Sequence, residues 1–133
     1  MLLNKANSTH SNHKVLVVED FEDNRFMMRR LLELTGYEVI EAVNGEEAVV
    51  LADIERPSII LMDLSLPMLD GLAATRRIRE HPELRKVPII AVSAHDTMDF
   101  HADALAAGCN DYVTKPVDFD QLEQVLTRLL DNN

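Results

Sequence analysis

Tryptophan is absent from the chain, cysteine occurs once, and aromatic residues amount to 5% of the total. A lone Cys109 can form no internal disulfide and has no metal-ligand spacing around it, which excludes a disulfide-stapled secreted scaffold and a structural zinc site. So few aromatics leave no stacking platform for single-stranded nucleic acid. Positive charge is also scarce: 13 Lys+Arg against 23 Asp+Glu give a net charge of -10, which repels phosphate backbones and argues against direct nucleic-acid binding. No apolar run approaches the ~20 residues a membrane-spanning helix needs. Met1 to His13 offers only Leu2 and Leu3 where a signal peptide needs an extended apolar stretch. These absences predict a cytoplasmic protein with no membrane insertion.

What is present suits one domain. The 133 residues match a prior of ~150 per domain, and a 47% hydrophobic content is enough for an ordinary core. Asn4 to His13 is polar and without periodicity, so residues 1–13 read as a flexible N-terminal leader or linker and residues 14–131 as the folded domain. From Lys14 onward, short unbroken apolar runs alternate with longer segments of helical period. The clearest runs are Val15–Val18, Ile59–Met62 and Ile89–Val92, which fit strands buried on both faces of a parallel sheet. Glu38–Glu41 and Asp111–Val113 are weaker strands, as edges often are.

Helix punctuation falls between the runs. Asn44 with Glu47 makes a capping-box start to a helix that ends before Pro57, and Asp118 with Gln121 does the same for the last helix. Gly36 and Gly108 sit where C-terminal caps belong, after Arg25–Thr35 and Thr97–Ala107. A further helix fits Gly71–Glu80. The pattern is β-α repeated five times, which predicts an α/β three-layer sandwich with helices on both faces of a parallel five-stranded sheet.

In such sheets ligands bind beyond the carboxyl ends of the strands. Those positions hold Glu19 and Asp20 after the first strand, Asp63 after the third, Ser93 after the fourth and Lys115–Pro116 after the fifth. Taken singly, each is an ordinary cap, turn or surface charge; together they place compatible chemistry on one edge. Clustered carboxylates repel unless a cation neutralises them. An all-oxygen donor set favours Mg²⁺, with Mn²⁺ as the alternative, over zinc. A carboxylate-bound Mg²⁺ in turn invites a phosphoryl group, with Asp63 as nucleophile, Lys115 as positive charge and Ser93 as hydrogen-bond donor.

The strings VLVVED at Val15–Asp20, IILMDLSLPMLDG at Ile59–Gly71, PIIAVSA at Pro88–Ala94 and GCNDYVTKP at Gly108–Pro116 resemble the receiver domain of two-component response regulators, the CheY-like fold. The resemblance spans nearly all of the chain after His13. It implies the flavodoxin-like strand order 2-1-3-4-5 and a phosphoryl group passed to Asp63 from a phosphohistidine on a sensor histidine kinase or a histidine phosphotransfer protein. It also implies Mg²⁺ bound by Asp20, by Asp63, by Glu19 mainly through water, and by the backbone carbonyl of Ser65. Ser93 and Lys115 would contact the phosphoryl oxygens, the Lys115–Pro116 bond would be cis, and Tyr112 would be the switch aromatic that turns inward with Ser93. Ser65 and His95 stand where side chains adjust the phosphate's lifetime. Glu19 departs from the aspartate often found at its position.

The implied function is a phosphorylation-dependent switch. Its output face lies on the last two helices and last strand, and it acts as a monomer or a phosphorylation-linked dimer. It would catalyse its own phosphorylation and dephosphorylation rather than turn over external substrates. A receiver excised from a hybrid histidine kinase, serving as a relay intermediate, is the alternative. A small Mg²⁺-dependent phosphatase of the haloacid-dehalogenase kind would want an aspartate two residues after the nucleophile, where Ser65 stands. A flavodoxin-like FMN binder would want a phosphate-binding loop where Glu19–Asp20–Phe21–Glu22–Asp23 is acidic. The arginines at 25, 29 and 30 and at 76, 77 and 79 read as solvated helix faces, with those near the first helix available to a kinase, and His101 reads as a helix-surface residue.

Overall fold

The computed structural model describes residues 13–66, 68–94 and 97–131; the leader and His95 lie outside them, apart from His13 itself. The apolar runs form β1 (Lys14–Val18), β3 (Ile59–Asp63) and β4 (Ile89–Ser93). The mixed segments form β2 (Glu38–Ala42) and β5 (Asp111–Thr114) at the edges. All pairings are parallel and the order is β2-β1-β3-β4-β5. The His13 carbonyl accepts from Glu38 N–H, so main-chain pairing begins one residue before β1.

Five helices follow the strands in turn: α1 (Glu22–Leu34), α2 (Gly45–Glu55), α3 (Gly71–Glu80), α4 (Met98–Ala107) and α5 (Phe119–Asp131). Alternate strand residues point to opposite faces, and two cores result. Leu16, Val18, Ile60, Met62, Ile89 and Ala91 pack against α2, α3 and α4. Val15, Val17, Ile59, Leu61, Ile90 and Val113 pack against α1 and α5, the latter through Leu122, Leu126 and Leu130. Cys109 is buried in the first core, where burial pushes its thiol pKa up, as for a small hydrophobe rather than a reactive group.

Local chemistry sets most boundaries. Asn44 accepts from Glu47 N–H at 2.8 Å, while the Glu47 carboxylate reaches back to Val43 N–H, one residue before the cap. Asp70 and Thr97 cap α3 and α4 with bonds to Ala73 and Phe100 N–H, and Asp118 bonds Gln121 N–H at the start of α5. Gly108 ends α4 at φ +118, a conformation in which a side chain is strained. The start of α1 departs from the sequence expectation by three residues. It begins at Glu22 after Phe21, which supplies no side-chain cap, and the acidic Glu22 and Asp23 of the first turn suit the helix dipole.

Two groups of residues expected on solvated faces are tied into the structure. The Arg79 guanidinium donates to the carbonyls of Gly108, Leu84 and Val87 and to Asn110 Oδ1, linking α3, the 3-10 turn Pro82–Leu84 and the α4–β5 loop. Arg25 and Arg29 both bond Glu41 of β2. The spacing of these arginines signals only a polar helix side; their acceptors come from distant segments, which periodicity cannot reveal.

Candidate phosphoacceptor site

Parallel register brings the strand ends together. Leu64 N–H donates to the Val92 carbonyl and Lys115 N–H to the Ser93 carbonyl, so the residues following β3, β4 and β5 share one edge. Three carboxylates converge there: ligand atoms of Glu19, Asp20 and Asp63 lie within 4.8 Å of one another. Glu19 and Asp63 are buried, at 8% and 3% exposure, whereas Asp20 faces solvent.

One ammonium faces the cluster. Lys115 Nζ donates to Asp63 Oδ2 at 2.9 Å and lies 3.4 Å from Glu19 Oε1. Asp63 Oδ1 accepts Ser65 N–H at 2.9 Å, and Glu19 Oε2 accepts Phe21 N–H at 3.1 Å. Burial raises the Glu19 pKa and Asp63's negative charge adds to this, outweighing the Phe21 bond and the Lys115 charge. Burial works against the Lys115 ammonium, yet the Asp63 hydrogen bond and the attraction of both carboxylates raise its pKa. Among the described residues the cluster thus holds three acids against one cation, and no histidine or thiolate stands among its donors. An excess of two negative charges on hard oxygens, two of the three acids being buried, fits a divalent cation such as Mg²⁺.

Around this centre, Ser93 is buried and Ser65 exposed. The Lys115–Pro116 peptide is cis. Tyr112 is half-buried, its hydroxyl enclosed with no hydrogen-bond partner among the described residues. Its ring centroid lies 4.0 Å from that of His101, which is therefore packed on β5 rather than standing free on α4. Gly71 crosses the back of the site so closely that a Cβ there would lie 2.3 Å from the Asp63 carbonyl oxygen. A cleft of about 580 Å³ opens from Glu19, Asp63 and Lys115 and runs along Met27, Leu31 and Phe119.

The sequence profile of the response regulator receiver domain matches residues 15–127. The chain belongs to that family. The receiver is 42% identical over 103 residues to the polar-differentiation response regulator DivK of Brucella anthropi, covering 77% of this chain and 84% of that protein. Among solved structures it superposes with TM-score 0.84 and 39% identity on the receiver domain of sensor histidine kinase PA1611 from Pseudomonas aeruginosa, covering 90% of this chain and 98% of that one. That structure holds a magnesium ion coordinated in its active-site cleft. Another match, with TM-score 0.82 and 32% identity over 89% of this chain and 88% of that one, is to a co-crystal structure from Saccharomyces cerevisiae. It pairs the histidine phosphotransfer protein Ypd1 with the receiver domain of its downstream response regulator Ssk1. The receiver is accordingly a module of two-component signalling, and no described helix is long and apolar enough to cross a membrane.

Proposed function

We propose that Asp63 is the phosphoacceptor of this receiver and takes a phosphoryl group from a phosphohistidine on a sensor kinase or phosphotransfer protein. The observation that carries the reading is the buried Asp63 carboxylate paired with Lys115 at 2.9 Å inside an acidic cluster. An Asp63 oxygen forms the new O–P bond while the P–N bond to imidazole breaks, and the imidazole leaves with the electron pair and takes up a proton. Glu19, Asp20, Asp63 and the Ser65 carbonyl would hold Mg²⁺, which when bound neutralises charge on the phosphoryl oxygens. Lys115 leaves Asp63 for a phosphoryl oxygen as the new bond forms. Ser93, at the end of the adjacent strand, donates its hydroxyl to another.

The phosphoryl group adds about -1.5 to -2 of charge, enough to bias a two-state element. Tyr112, whose enclosed hydroxyl has no described partner, and the neighbouring α4–β5–α5 face, where Met98 and Leu105 are exposed, form the output side. The donor docks from the other side, along the cleft that runs from Asp63 past Met27 and Leu31. Ser65 and His95 tune phosphate lifetime.

Intact mass after incubation with acetyl phosphate tests the reading. The receiver gains one phosphoryl group with Mg²⁺ and none without it, and Asp63→Asn gains none. Equal uptake by Asp63→Asn overturns the assignment. Likeness to a sensor-kinase receiver also fits a relay role in a hybrid kinase. In that role the phosphorylated receiver would pass its group back to a histidine phosphotransfer protein.

A further inference from the structure

Glu19 turns the chain from β1 into the acidic loop, and its main chain is held at both ends. Its N–H donates to the Ala42 carbonyl at 3.0 Å, and its carbonyl accepts from Arg25 Nη1 at 3.0 Å. Arg25 is itself fixed: Nε donates to Glu41 Oε1 at 2.9 Å, and its side chain is 14% exposed. Glu41 is gripped from its other oxygen by Arg29 Nη1 at 2.6 Å. A guanidinium one peptide away from an acidic cation site would ordinarily oppose a bound metal. Here its charge is met by Glu41, so the hydrogen bond to Glu19 comes without an unopposed positive charge.

We infer that Arg25 is a positioning residue for the divalent cation, fixing the Glu19–Asp20 corner through the Glu19 carbonyl while Glu41 holds it in place. The inference rests on the proposed Mg²⁺ site and deepens it. Outer partners that orient metal ligands typically cost 10–100-fold in affinity when removed, and a bond to the main chain of one ligand belongs at about the lower end of that range. The sign separates positioning from charge. Removing a positive charge near a cation site should tighten Mg²⁺ binding, whereas loss of positioning weakens it.

The test is an Mg²⁺ titration followed by ¹⁵N-amide chemical shifts in the intact chain. Arg25→Met, which keeps the apolar stem, should bind Mg²⁺ about tenfold more weakly. Arg29→Met removes the same charge from the same Glu41 without touching Glu19, and should bind as tightly as wild type or more so. Unchanged or tighter binding by Arg25→Met, or equal weakening by Arg29→Met, overturns the positioning role. Should Arg25→Met fail to fold, the pair Glu41→Ala with Arg29→Met releases Arg25 at constant net charge. Weakened binding there supports the role and wild-type affinity overturns it. Absence of Mg²⁺ shifts in the wild type overturns the proposed metal site itself, a result distinct from binding that is uniform across the variants.

Discussion

Arg79 provides a quantitative test of how the receiver's frame is held. A guanidinium has five N–H donors, and Arg79 commits all of them. Nε and Nη2 reach the Gly108 carbonyl at 3.0 and 2.7 Å, Nη1 reaches the Leu84 and Val87 carbonyls at 2.7 Å each, and Nη2 reaches Asn110 Oδ1 at 2.9 Å. Asn110 Oδ1 also accepts Ile89 N–H at 2.9 Å, so the same group starts β4 and precedes β5. Bonds to charged donors contribute roughly 1.5–3 kcal/mol each, but a gross sum overstates the effect. Water reaches the partly exposed Val87 and Gly108, and burial, which lowers the Arg79 pKa, opposes the charge with no carboxylate in contact among the described residues. Arg79→Met, which keeps the stem and removes the donors, should therefore cost about 2–3 kcal/mol. For a domain of this size that lowers the thermal midpoint by roughly 8–12 °C. Urea denaturation and calorimetry measure both quantities. A loss below about 0.5 kcal/mol, the range of ordinary surface substitutions, would refute the view that Arg79 ties the α4–β5 loop to α3.

Lys115→Ala should bind Mg²⁺ at least as tightly as wild type, since it removes an opposing charge, yet lose about 10²-fold or more in phosphoryl uptake; parallel loss of both would refute its separate role. Gly71→Ala should destabilise by about 1–3 kcal/mol and impair uptake, because the new Cβ meets the Asp63 carbonyl. Full uptake with unchanged stability would show that the β3–α3 crossing yields freely. Burial opposes the Glu41 charge, but its bonds to Arg29 and Arg25 hold the pKa below the usual value of 4.5. Its stabilising contribution is therefore present above pH 4.5 and fades as pH falls through the lowered value. The stability gap between wild type and Glu41→Gln should shrink on acidification below that pH; a widening gap would reverse the sign.

Sequence periodicity carried much of this architecture because the three inner strands are buried on both faces. Unbroken runs such as Ile59–Met62 can serve few other purposes, and the strand that follows each helix fixes where polar residues must emerge. Asp63 was legible for that reason, standing at the end of a run, whereas Lys115 follows the weaker edge strand β5. Asn44 and Gly108 were legible through local chemistry, a side-chain cap and a positive φ. Arg79, Arg25 and His101 were not. Each sits at a helical position that reads as solvent-facing, and each is recruited by groups from remote segments: the Gly108 carbonyl, the Glu19 carbonyl and the Tyr112 ring. The start of α1 was misplaced because Phe21 carries no capping side chain, while the carboxylate that binds its N–H belongs to Glu19.

The most direct test of the central claim is to locate the modified residue after reaction with acetyl phosphate and Mg²⁺. Borohydride reduces an acyl phosphate to an alcohol, converting the phosphorylated aspartate to homoserine, which peptide sequencing by mass spectrometry identifies. Homoserine should appear at position 63 alone, and only when Mg²⁺ was present. Homoserine at position 20, or an acid-stable phosphate on Ser65 or Ser93 with position 63 unmodified, would contradict the claim.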